Sequence, residues 1–267
     1  MKFRNVPQWA SVLLVTASLG TLLWFELRRP LRRSVESKLR RDTRNLAVAG
    51  AAAAAVQLAE LPVSAPLAAL AANDRWGILG WASVPLWLEV PVAVLLLDYT
   101  LYLWHILTHK VPALWRFHIV HHADLDLDAT TALRFHFGEM LASIPFRAAQ
   151  IVTIGVSPLA LSVWQAALLV SILFHHSNVE LPENVERRLS RFLVTPRMHG
   201  IHHSKIPAET NSNWSSGLSI WDRLHGTLRL DVPQEQVTIG VPQYNHPAEV
   251  TLPKILAMPF RGRDGRA

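Results

Sequence analysis

The sequence predicts an all-α integral membrane protein of about four or five transmembrane helices, with a cytoplasmic helical cap that carries a histidine-rich dimetal site. Three observations predict it. Half of the 267 residues are hydrophobic and 17% are charged, a more apolar balance than soluble domains show. The apolar residues fall into long runs separated by short basic or proline-containing breaks. Histidines with metal-ligand spacing then gather near the ends of those runs, as His105-x-x-x-His109, as His118-x-x-His121-His122, and again as His199-x-x-His202-His203.

Residues 6–25 carry no charge, about the length needed to cross the hydrocarbon core. Lys2 and Arg4 precede this run in the manner of a signal peptide, but Trp24 and Phe25 followed by Arg28 and Arg29 read as an interfacial anchor without a small-residue cleavage site. The segment is expected to be a retained span. Residues 28–44 hold Arg28, Arg29, Arg32, Arg33, Lys38, Arg40, Arg41 and Arg44. The net charge of +6 would suit nucleic acid, yet this clustering between two apolar runs reads as a topology signal that keeps the linker cytoplasmic. No nucleic-acid partner is expected.

The second run, 46–72, is interrupted by Glu60, Pro62 and Pro66, and its alanines at 51–55 favour close helix packing. A third, 77–104, contains Glu89 and Asp98 with Pro85 and Pro91 and delivers His105 and His109 at its end. Glu89 fits a membrane-edge residue at a proline kink as well as a functional one. Residues 148–174 are too long for one comfortable span, and Gly155-Val156-Ser157-Pro158 is read as a hairpin turn. A hairpin returns His175 and His176 to the side of His122; a single crossing would not. Residues 181–194 alternate charges with Leu189, Phe192 and Leu193, which predicts an amphipathic helix on the membrane surface. The tail 261–267 is expected to fray. The organisation expected is an anchor and basic linker at 1–45, a catalytic membrane domain at 46–230 and a C-terminal tail at 231–267.

With no cysteine, disulfides and thiolate-held clusters or haem are excluded, and metal chemistry must run on imidazole and carboxylate. Residues three and four apart on a helix share a face, so each cluster is expected to aim two or three imidazoles at one point. A structural zinc needs four ligands. Twice that number fits two adjacent metals, each with an open position, and such a site at the mouth of a membrane bundle could activate dioxygen against a lipid C–H bond. Asp98 lies two helical turns before His105 and is placed to orient it from behind. Spacing alone does not choose among iron, zinc, copper and nickel. Three rival readings stand beside this one. A histidine-rich membrane metal transporter would need ligands at the bilayer midplane, a non-catalytic scaffold would lose ligands, and a metal-dependent lipid hydrolase would need fewer histidines and a carboxylate base.

The runs Asp98-Tyr-x-x-Tyr102-x-x-His105-x-x-x-His109, Leu114-Trp115-Arg116-Phe117-His118-x-x-His121-His122 and Asp128-x-Thr130-Thr131-x-x-Arg134-Phe135-His136 follow one another. Phe174-His175-His176-Ser177-Asn178, Thr195-Pro196-x-Met198-His199-x-x-His202-His203-Ser204 and Trp221-Asp222-Arg223-Leu224-x-Gly226-Thr227 complete the series. In these motifs, over roughly residues 90 to 230, the sequence resembles the fatty acid hydroxylase superfamily, also called the sterol desaturase family. Its members are integral membrane, oxygen-dependent, non-haem diiron enzymes.

The resemblance implies that His105, His109, His118, His121, His122, His199, His202 and His203 are iron ligands, with His176 of the His-x-Asn element joining them. His175, His136, Asp98, Asp124 and Asn178 are candidates for a ligand or a supporting group. His175 is set back because adjacent helical residues point about 100° apart, and His136 because Phe137 stands where the family has proline. Asp124, Asp126 and Asp128 begin like a calcium loop but lack its glycine and closing glutamate; they are expected to orient the ligand histidines or cap a helix. His225 and His246 are expected at the surface.

The cofactors implied are two iron ions, with zinc as a possible substitute, and dioxygen as co-substrate. Dioxygen would be reduced by four electrons, two from the substrate C–H bond and two from a reductase. The chain has no flavin, nicotinamide or haem module, so the resemblance also implies a separate electron-transfer protein or reductase, for which Arg187, Arg188 and Arg191 offer a basic surface. The substrate class is lipid (sterol, fatty acyl or related), with hydroxylation and desaturation both open. The setting is the bacterial inner membrane or the endoplasmic reticulum, with the metal site facing the cytoplasm.

Overall fold

A computed structural model describes residues 6–261, and every regular element among them is a helix. Lys2, Arg4 and 262–267 of the expected frayed tail lie outside the described residues. Four stretches are long and apolar enough to cross a membrane: Gln8–Arg28, Lys38–Ala82, Trp87–Lys110 and Pro158–His176. They contain α1 (Gln8–Arg28), then α2 (Lys38–Ala55), α3 (Leu61–Asn73) and α4 (Gly77–Ala82), then α5 (Leu86–Lys110), and finally α8 (Pro158–His176). Between α5 and α8 lie α6 (Pro112–His122) and α7 (Phe137–Ile154).

The turn expected at 155–158 is present. Gly155 closes α7 with φ +79°, and Ser157 caps α8, whose first residue is Pro158. On the same end of the bundle Gly77 meets it directly. A Cβ on Gly77 would lie 2.3 Å from the Gly155 nitrogen, and one on Gly155 2.1 Å from the Trp76 carbonyl oxygen. The two turns lock backbone to backbone, a contact only glycine allows.

The run 77–104 is not one helix. Ser83 at φ +53° ends α4, and Pro85 precedes α5, so the third span starts at the α5 N-terminus. Glu89, in the first turn of α5, is buried and not exposed by the proline, and it accepts a hydrogen bond from Ser157 at 3.1 Å. The surface helix expected over 181–194 is shorter too: α9 covers Glu183–Leu189, Ser190 breaks it, and Val194 bonds instead to the Gly217 carbonyl.

α2 and α3 run continuously through an 18-residue segment, a five-residue π-helical turn at Val56–Glu60 and a 13-residue segment. At 1.5 Å per residue this rod is roughly 54 Å long, well beyond the hydrocarbon core of about 30 Å. Its first turns therefore belong to the cap. The π turn takes up one extra residue and keeps the buried positions Arg41, Asn45, Val48 and Ala52 in phase with Glu60, Ser64, Ala68 and Ala71. Glu60 pairs with Arg147 of α7 at 3.5 Å, and the Arg147 guanidinium lies 4.5 Å over the Trp164 ring, so an intramembrane charge has both a partner and a π-face.

The cap is completed by α9, α10 (Pro196–His202), α11 (Pro207–Thr210), α12 (Ile220–His225) and α13 (Leu252–Ala257). Its core joins Val48 of α2 and Trp115, Ile119 and Val120 of α6 to Val241, Tyr244, Val250, Ile255 and Met258. The segment 231–267, set apart in the sequence as a tail, thus supplies much of the cap core as far as the described residues reach.

The basic linker divides. Arg28, Arg29, Arg33 and Arg40 are exposed, whereas Arg41 and Arg44 are buried. Arg41 reaches Asp124 at 3.1 Å and also pairs with Asp128, and Arg44 makes a two-pronged bond to Glu36 at 2.7 Å. Asp126 accepts the backbone N–H groups of Val35 and Glu36. A segment expected to be a solvated topology signal is also the buried clasp on the loop that follows His122.

Candidate metal centre

Eight of the nine histidines implied as ligands fall into two buried quartets: His105, His109, His122 and His202 in one, His121, His176, His199 and His203 in the other. Within each quartet the ligand nitrogens lie within 4.8 Å of one another. The quartets adjoin, since His122 of the first stacks on His203 of the second with ring centroids 4.2 Å apart. Each sequence cluster was expected to aim at one point; the 118–122 and 199–203 clusters instead straddle both sites. Neighbours on a helix diverge by about 100°, so the His121-His122 and His202-His203 pairs each send one ring to each quartet. Residues four apart stay together, as His105 with His109 and His199 with His203 do.

His118 stands between the quartets, its ring centroid 4.8 Å from His109, 5.0 Å from His122 and 5.3 Å from His121. Its Nδ1 faces the Glu139 carboxylate at 2.9 Å, and its Nε2 is buried without a partner. His105 Nδ1 donates to the Trp214 carbonyl at 2.7 Å, His202 Nδ1 to the Ser212 carbonyl at 2.8 Å and His176 Nδ1 to the Ile172 carbonyl at 2.8 Å. A carbonyl only accepts, so each bond places the proton on Nδ1 and leaves Nε2 as a lone pair.

These residues fit metals on two counts. His176 Nε2 lies 3.0 Å from both His121 Nε2 and His199 Nε2, and His199 Nε2 lies 3.1 Å from His203 Nε2. One lone pair cannot satisfy such a chain of nitrogens through N–H donors, because His199 Nε2 would have to donate and accept at once; a shared cation satisfies all four. In the first quartet both nitrogens of His109 and of His122, and Nε2 of His202, are buried without hydrogen bonds, a cost of about 1–3 kcal/mol each if nothing else engages them. Burial, reinforced by the neighbouring imidazoles, holds His121, His122, His199 and His203 well below the ordinary histidine range, and His202 at about 3. The rings are neutral and their lone pairs available. Trp214 covers His109 and His202, and Phe135 stacks on His121 at 4.5 Å, which keeps bulk water from the site.

The remaining candidates lie outside the quartets. His175 is buried with its ring 4.1 Å from His199; the Ser216 backbone approaches it, but neither ring nitrogen completes a hydrogen bond. His136 caps α7, accepting from the Gly138 N–H at 2.9 Å and facing the Leu256 carbonyl at 3.2 Å. Asn178 bonds both backbone groups of Arg32 at 2.8 Å and thereby ties the end of α8 to the basic linker. Asp98 touches no histidine; it accepts from the Leu218 N–H at 3.0 Å and from Trp221 Nε1 at 2.8 Å. Asp124 likewise bonds no histidine. Burial would raise its pKa, but Arg41, Arg134 and Arg44 outweigh burial and hold it at about 2. Arg134 in turn donates to the Val120 carbonyl, just ahead of His121. His225 and His246 are exposed.

Two residues that sequence reasoning passed over matter here. Glu139, three residues after His136, carried no motif. Asp222 stood in the Trp221-Asp222-Arg223 run without a role; it is fully buried and accepts from the Trp214 and Ser215 N–H groups at 2.8 and 3.0 Å, so it shapes the loop whose carbonyls hold His105 and His202.

The model of the family described as fatty acid hydroxylase matches residues 90–227. Among curated proteins the chain is similar to ornithine lipid hydroxylase OlsE of Rhizobium tropici, 32% identical over 169 residues, which is 63% of this chain and 47% of that protein. It is 34% identical over 170 residues to alkylglycerol monooxygenase of Xenopus tropicalis, 63% of this chain and 36% of that one. It is also 30% identical over 144 residues to cholesterol 25-hydroxylase of Mus musculus, 53% and 47% of the two chains. The match thus spans about half or less of the length of these relatives. No solved structure matches.

Proposed function

Because the chain belongs to the fatty acid hydroxylase family, we propose that it is a membrane oxygenase that hydroxylates or desaturates a C–H bond of a lipid with dioxygen. The observation that carries this reading is the pair of adjoining, buried histidine quartets. His105, His109, His122 and His202 would hold one iron, His121, His176, His199 and His203 the other, with His118 between them. When bound, the two metals supply the redox chemistry that spends dioxygen, two electrons from the substrate and two from a donor.

The chain's own residues do the positioning. Carbonyls of Trp214, Ser212 and Ile172 fix three rings with Nε2 facing inward, Glu139 fixes His118, and Trp214 and Phe135 exclude water. Zinc suits the same nitrogen donors; iron is proposed because the reaction requires a redox metal. The basic residues exposed in the 28–44 segment support a cytoplasmic position for the quartets. A separate reductase would dock on the exposed Arg187 and Arg188 of α9 and Arg191 just after it. The relatives' names point to ornithine lipids, alkylglycerols and cholesterol as substrates of those proteins, and a lipid substrate is the common element.

Protein purified from iron-supplemented cells should carry about two metals per chain by elemental analysis and consume dioxygen with a lipid substrate and a reductase. Less than one metal per chain would overturn the reading.

A further inference from the structure

The reading above leaves open how a lipid carbon reaches a buried site. A cleft of about 310 Å³ lies between α5 and α8, with Leu95, Asp98, Trp164, Ala167, Ser171 and Gly217 among its walls. Leu95 and Ala167 are exposed at its mouth, and Asp98 and Trp164 are buried. Both helices are among the membrane-crossing stretches, so the mouth opens onto lipid hydrocarbon. Along α5 the walls lead from Pro91 to Asp98, two turns short of His105; along α8 they lead from Trp164 to Ser171, one turn short of His175.

The inner end is a single stretch of backbone, residues 214–218. Gly217 and Leu218 line the cleft. On the other side Trp214 holds His105 through its carbonyl and covers His109 and His202 with its ring. Between them Ser216 accepts from Ser171 at 2.7 Å. Gly217 packs tightly against the Asp98 wall, where an added Cβ would lie 2.3 Å from Asp98 Oδ1. Along the chain only Ser215 and Ser216 separate the cleft-lining Gly217 from Trp214, whose carbonyl and ring hold the first quartet.

We propose that this cleft admits one hydrocarbon chain of a bilayer lipid to the metal site, and that Ala167 and Leu95 at its mouth govern entry. The occupant is a chain and not a headgroup. The walls are mostly apolar, no cationic residue lines the cleft, and its one charged group is the Asp98 carboxylate, which is already engaged by Leu218 and Trp221 and would repel an anionic head. This inference rests on the metal reading, because the cleft matters only if the quartets are the reacting centre.

The test uses the full chain in nanodiscs of phosphatidylcholine, part of it carrying a photoreactive diazirine on one acyl chain, with crosslinks mapped by mass spectrometry. Crosslinks should concentrate on α5 residues 91–98 and α8 residues 164–171. Ala167→Trp should cut them roughly tenfold, as should Leu95→Trp on the opposite wall. Labelling of the exposed α1 residues Leu13 and Leu14 should not change. Crosslinks no denser in the cleft than on α1, or unmoved by both tryptophans, overturn the proposal. Labelling of the cleft in a protein that binds no metal would support the cleft and overturn the metal reading, so the two fail separately.

Discussion

The two histidine quartets use similar parts and are held in different ways. In the first, His105 and His202 are both fastened by carbonyls of one irregular loop, at Trp214 and Ser212, and that loop is itself held by Asp222. In the second, the one backbone bond is made by His176 to Ile172, a turn back in its own helix, and the other rings face one another. The first quartet thus depends on a loop built from sequence far from its helices, the second on helix register alone. A site fastened by a loop can be loosened from a distance; a site fastened by helices cannot, short of disturbing the bundle.

The largest expected effect tests whether there are two sites at all. His203→Ala should remove roughly half of the bound metal and His122→Ala/His203→Ala all of it, since each quartet falls below the four ligands of a closed site; elemental analysis reads the result. If His203→Ala alone loses everything, the quartets are one cooperative site. Next in size, Asp222→Ala should weaken metal retention by roughly 10–100-fold in the first quartet and leave the second unchanged. Chelator titration should then turn from one release step into two. Equal weakening of both would break the distinction drawn between loop and helix support. The smallest effect falls between the sites: Glu139→Gln should leave metal content intact and lower turnover roughly tenfold, through a His118 ring no longer oriented. A Glu139→Gln protein that loses one metal would assign His118 to a quartet.

The three histidine clusters were readable from spacing and His176 from the resemblance, but their sorting into two quartets was not, because it depends on how α5, α6, α8 and α10 are arranged. One part could have been read. The divergence of adjacent residues, applied to His175 and His176, applies equally to His121-His122 and His202-His203 and already divides each pair between two targets. The hairpin at Gly155 was legible because glycine and proline act locally. The break at Ser83 was not, since a left-handed serine leaves no compositional trace. Arg41 and Asp124 pair across 83 residues, a distance at which charge counting sees only two separate clusters. Val241, Tyr244 and Val250 come from irregular chain, where no period marks a residue as core.

The π turn at Val56–Glu60 gives this membrane rod an unusual tolerance. Such a turn absorbs one residue beyond the α-helical count, so deleting a residue there would close the rod into plain α-helix with its cap face and its bilayer face still aligned. A deletion elsewhere in α2 or α3 would swing one face about 100° away from the other, parting either Arg41 from Asp124 or Glu60 from Arg147. Of all the places in this long helix where related chains could differ in length by one residue, this is the one at which the buried charges on both sides would keep their partners.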